Sequence, residues 1–106
     1  MPKFLIHGSY TAEGLKGLQK DKGSGRKAAL GAAAEGLGGK LETLYYALGE
    51  DDAIAIVDMP DHVSASALSL AMSATGLVHT KTTVLLTVEE VDKALQRNVS
   101  YRGPGR

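Results

Sequence analysis

With 106 residues, no cysteine, and 12 basic against 12 acidic side chains, the chain has room for one domain and none of the means for disulfide or thiolate chemistry. An even charge balance argues against nucleic-acid binding, which leaves a basic footprint. The apolar run after Lys3 is too short for a signal-peptide core. The Val63–Ala74 run, interrupted by Ser64, Ser66, Ser69 and Ser73, is too short to span a bilayer, so a cytoplasmic protein without membrane contact is expected.

Phe4 to Tyr10 reads as a strand, with Phe4, Ile6, Gly8 and Tyr10 on one face and Leu5, His7 and Ser9 on the other. Thr11 is placed to cap a helix from Ala12 to about Lys20, with Glu13 in its first turn and Gly14, Leu15 and Leu18 inward. Asp21-Lys22-Gly23-Ser24-Gly25 breaks the pattern, and Ser24 can cap a second helix to Leu37, with Leu30, Ala33, Ala34 and Leu37 inward. Lys40–Leu48 and Ala53–Asp58 form a hairpin around Gly49-Glu50-Asp51-Asp52. Asp61 then stands at the N-cap of a helix to Ala74, whose inner stripe reads Val63, Ala67, Leu70, Ala71 and Ala74. Gly76 suits a left-handed stop, Val78–Thr87 a last strand, and Glu89–Asn98 a short helix before an irregular tail.

The order β-α-β-β-α-β predicts an α+β, ferredoxin-like sandwich. Its antiparallel sheet runs 4-1-3-2, its first helix is broken in two, and a short extra helix lies at the C-terminus. Residues 1–97 form the domain and 98–106 the tail. Apolar side chains fall on both sheet faces: Leu5 and Val57 are expected opposite to Phe4 and Ile56, and Leu85 opposite to Val84 and Leu86. A half-covered sheet standing alone shows cleaner alternation, so a second copy is expected over the helix-free face. Such a homo-oligomer would enclose a cavity, as dimeric α/β barrels do.

Several motifs in order resemble the GYD-domain family of small bacterial proteins. They are Tyr10-Thr11-Ala12-Glu13-Gly14, Arg26, Gly38-Gly39-Lys40 with Tyr45, Gly49-Glu50-Asp51-Asp52 at the naming motif, and Asp58-Met59-Pro60-Asp61. Gly76, Thr80, Thr83 and Thr87-Val88-Glu89-Glu90 continue the match. At the signature itself Asp51 replaces the family's tyrosine. The resemblance implies a ferredoxin-like, oligomeric α+β protein and implies no particular reaction.

Each candidate site has a plain structural counterpart. His7 and His79, on neighbouring strands, can project into one cavity about 7 Å apart and exchange protons or bind a divalent metal; two histidines without a third ligand make a poor metal site, and interface hydrogen bonding is the alternative. Asp58, expected to face the helices, is either a cap or cation partner, or a desolvated carboxylate at a barrel mouth. Tyr10 and one of Tyr45 and Tyr46 can donate phenol hydrogen bonds to a ligand, or sit half-buried at an interface. Glu50, Asp51 and Asp52 read as a solvated turn more readily than a cation site, and Lys16, Lys20, Lys22, Arg26 and Lys27 as a solvated helix face. The function expected is small-molecule binding, extending to cofactor-independent proton transfer, in an intersubunit cavity, with an oligomeric scaffold or metal binding as alternatives.

Overall fold

A computed structural model describes residues 1–106. The elements are β1 (Lys3–Tyr10), α1 (Ala12–Gly36), β2 (Lys40–Tyr46), β3 (Ala53–Asp58), α2 (His62–Ala74), β4 (Val78–Leu85) and α3 (Val88–Leu95). The four strands make one antiparallel sheet in the order β2-β3-β1-β4, which is β4-β1-β3-β2 read from the other edge. Side chains start the helices by taking backbone N–H groups the helix leaves orphaned. Thr11 accepts from Gly14 at 3.1 Å and Asp61 from Ser64 at 2.7 Å, while Thr87 and Glu90 form a reciprocal capping box. Gly76, with φ of 72°, follows α2 in the left-handed region that a side chain resists.

The core lies between one sheet face and the two longer helices. Phe4 and Ile6 of β1 and Ala55 and Val57 of β3 meet Ala34 of α1 and Ala65 and Leu68 of α2. The pairing of Phe4 with Val57 and of Leu5 with Ile56 fixes which way β3 faces. Val57 is fully buried, while Ile54, Ile56 and Asp58 turn to the other side. This reverses the expectation for β3, which put Val57 beside Leu5 and Asp58 toward the helices. Ala-Ile-Ala-Ile-Val has no polar alternation to set its parity, so cross-strand register decides it.

Helix α1 extends from Ala12 to Gly36 and kinks within Asp21–Gly25, the stretch expected to break it. Only Lys22 leaves helical torsions, at φ 65° and ψ 169°. Leu15 is exposed, not inward. In α2 the buried residues are Ala65 and Leu68, and Val63 and Leu70 point to solvent. Hydrogen bonding to β4 sets that rotation: Ser69 and Ser73 hydroxyls each lie 2.8 Å from Thr80 Oγ1, and Thr82 donates to Ser69 at 3.1 Å. The serines thus face the sheet. Strand β2 stops at Tyr46, short of Leu48, after a register shift between Leu41 and Thr43. Strand β4 ends at Leu85 because Thr87 is already the cap of α3.

Helix α3 buries nothing, leaving Val88, Val91 and Leu95 exposed. The accessible surface is 7428 Å², against about 5,700 Å² for a compact monomer of this mass. The radius of gyration is 16.8 Å, where about 13 Å is usual for this length. No helix is long and apolar enough to cross a membrane.

Candidate functional site on the uncovered sheet face

Antiparallel pairing puts directly opposed residues on one face, so the register defines rows across the helix-free side. Thr43, Ile56, Leu5 and Thr83 form one row, and Tyr45, Ile54, His7 and Lys81 the next. Ser9 and His79 face each other one step further along. The centre of the face is therefore apolar, with Leu5, Ile54 and Ile56, and polar groups stand at both ends. At one end Lys3 pairs with Asp58 at 2.9 Å and also with Glu42. Hydrogen bonds to those two carboxylates raise the Lys3 ammonium above its usual range. Asp58 thus holds a cation on the open face; the cap of α2 is Asp61.

The other end is built by the hairpin tip. Asp52 N–H donates to the Gly8 carbonyl at 2.9 Å, Ala47 N–H donates to the Asp52 carbonyl at 2.8 Å, and the Asp52 carboxylate accepts from Tyr10 N–H at 2.8 Å. These bonds lay the tip along the end of β1. Asp51 is thereby folded onto the sheet, with its side chain only 17% exposed. Its Oδ2 lies 3.0 Å from His7 Nδ1, its Oδ1 accepts from the Ser9 hydroxyl at 3.2 Å, and Lys81 Nζ is 3.8 Å away. Only Glu50 of the tip acids points fully to solvent.

An ionised carboxylate can only accept, so Asp51 places the ring proton on Nδ1 and leaves the Nε2 lone pair for another partner. A carboxylate bonded to Nδ1 is also how the imidazole is oriented in catalytic triads. Ser9 is no nucleophile in that scheme, since its hydroxyl serves Asp51. His79 lies on the same face, diagonal to His7 and exposed. No group of three His, Cys, Asp or Glu side chains is arranged to hold a metal ion.

The tyrosines divide between the two sides. Tyr45 is on the open face and 69% exposed, whereas Tyr46 and Tyr10 face the helices. Burial, and secondarily the neighbouring Tyr10 phenol, push the Tyr46 hydroxyl up to about 12. In the basic run, Lys16 pairs with Glu13 and Arg26 with Asp21. His62 is exposed but sets its ring edge-on to Phe4 at 5.7 Å.

Sequence reasoning picked out His7 and missed Asp51, Ser9 and Lys81 as its neighbours. The available signal was the departure from the family signature at Asp51, a carboxylate on a hairpin tip adjoining the strand of His7. Searches of curated proteins and of solved structures gave no match. The family model described as GYD domain matches residues 4–95. With nearly the whole folded region covered, the chain belongs to the GYD domain family.

Proposed function

We propose that the protein assembles with a second copy through the uncovered sheet face and binds a small carbonyl compound between the sheets, where His7 serves as a proton acceptor. The ferredoxin-like order of elements is compatible with that pairing, and the surplus of exposed surface supports it. The observation that carries the reading is the 3.0 Å contact between His7 and Asp51 beside the apolar centre of the face, Leu5, Ile54 and Ile56. A second sheet would exclude water, and in a low-dielectric chamber an oriented imidazole and a nearby ammonium act more strongly. Nε2 takes a proton from the carbon beside the carbonyl. The electron pair moves to the carbonyl oxygen, where Lys81 or Tyr45 stabilises the developing enolate, and the proton returns from the imidazolium.

The test is deuterium exchange into 2,4-pentanedione followed by NMR, together with sedimentation. Wild-type protein should accelerate exchange, and His7→Gln should remove about 100-fold or more of the acceleration, the typical worth of a positioned base. Leu5→Asp should dissociate the assembly and abolish the exchange with it. An assembled wild-type protein that does not accelerate exchange would leave the face a scaffold interface only. A wild-type monomer would overturn the assembly.

A further inference from the structure

The opposite side of the sheet holds a cavity of 380 Å³ between the sheet, α1 and α2. That volume is within the range of small-molecule sites, roughly 300–1,000 Å³. Its walls are apolar, chiefly Ile6, Leu18, Leu30, Leu44, Leu68 and Met72. Polar groups gather near the α1 kink, where Tyr46 neighbours both Tyr10 and Arg26, and Arg26 contacts Asp21 at 3.4 Å.

The chain holds this space open. Helix α1 is fastened at its start, where Thr11 N–H donates to the Leu77 carbonyl at 2.9 Å and a Cβ on Gly14 would fall 1.9 Å from that same oxygen. It is fastened at its end by Ala34, fully buried in the core, and by Gly39 N–H donating to the Ala34 carbonyl at 2.9 Å. Between these anchors the helix kinks at Lys22 and presents Gly17, Ala29 and Ala33, which are too short to reach the sheet. A Cβ added at Gly17 would meet nothing within 4 Å. The helix is thus held at both ends while only small residues line the pocket between them, which leaves an apolar cleft that opens to solvent at Ala29 and Ala33.

We propose that this cavity binds a carboxylate amphiphile. The aliphatic body lies against Leu30, Leu68 and Met72, and the head group takes hydrogen bonds from Arg26 and the two phenols. Arg26 is the one cation lining the cavity, and its long contact with half-exposed Asp21 is one a ligand carboxylate can replace. The Tyr46 phenol keeps its proton to about pH 12, so it remains a donor throughout the neutral range. The cavity belongs to a single copy and lies across the sheet from His7, so it does not depend on assembly.

Calorimetric titration with decanoate and with decanol tests the assignment. Wild-type protein should bind decanoate one to one. Arg26→Gln should weaken decanoate about tenfold, the scale of one charge-assisted hydrogen bond, and leave decanol unchanged. Gly17→Leu and, independently, Ala33→Leu should fill the space, abolish binding of both probes and raise Tm. Leu5→Asp should bind as wild type does, which separates this site from the sheet-face proposal. Absence of decanoate binding to the wild type overturns the inference, as does undiminished binding by the folded Gly17→Leu and Ala33→Leu proteins.

Discussion

The Asp51 carboxylate reaches from the hairpin tip to His7 Nδ1 at 3.0 Å and shares its second oxygen between the Ser9 hydroxyl and the Lys81 ammonium. One side chain therefore orients the imidazole and ties β4 to the tip. Asp51→Ala should free the ring, so that long-range proton–nitrogen NMR of neutral His7 shows a mixture of tautomers in place of Nδ1–H alone. The lost bonds are partly exposed and ionic, so the stability cost should be about 1–2 kcal/mol by urea unfolding. A wild-type ring protonated on Nε2 would exclude the orienting role.

Neighbouring residues on β3 should respond in opposite ways to the same charge. Ile56 opposes Leu5 on the uncovered face, whereas Val57 opposes Phe4 in the core and is fully buried. Ile56→Asp should give a folded protein that sediments as a monomer. Val57→Asp buries an unpaired carboxylate, at roughly 4 kcal/mol or more, a large part of the stability of a domain this size. Circular dichroism should show it without a cooperative thermal transition. A folded, dissociated Val57→Asp protein would reverse the assigned faces.

That contrast also marks how far the residues themselves could be read. The caps at Thr11 and Asp61, the Gly76 stop and the alternation of β1 are local, because each depends on neighbours within about one helical turn or two strand positions. The parity of β3 is not local, since its run is apolar at every position and only pairing with β1 assigns Val57 inward. Apolar spacing in α2 pointed to Val63 and Leu70, but the serines that bond Thr80 sit on the inner side. Helical patterning does not anticipate a hydroxyl network at a helix–sheet contact. Asp51 was legible as a turn residue and illegible as a partner of His7, because the tip had first to fold along β1.

The kink of α1 offers a backbone test. Lys22 adopts φ 65° and ψ 169°, a region almost confined to glycine, which costs a side chain about 1–3 kcal/mol. Gly23, next in sequence, has no positive φ and packs toward the Tyr46 ring. Lys22→Gly should relieve the strain while losing some unfolded-state restriction, for a net gain of about 1 kcal/mol. In a domain of about 100 residues that is a rise in Tm of about 4–8 °C. Lys22→Val, branched at Cβ, should lower Tm. An unchanged Tm in both variants would mean that the kink stores no strain.

Acid sensitivity should be traceable to Asp61. Its carboxylate accepts the Ser64 N–H at 2.7 Å, and that bond holds its pKa below the ordinary 3.8. A group depressed in the folded state stabilises above its unfolded pKa, and the contribution disappears as pH falls through the folded value. Asp61→Ala should therefore lower Tm at pH 7, and the gap to wild type should close below pH 4 as the wild-type carboxyl takes up its proton. Asp61→Asn keeps an oxygen that can cap the helix but has no proton to gain, so its Tm should fall less steeply over the same interval. Calorimetric scans from pH 7 to pH 2 compare the three proteins. A deficit in Asp61→Ala that stays constant down to pH 2 would show that the ionised cap contributes nothing.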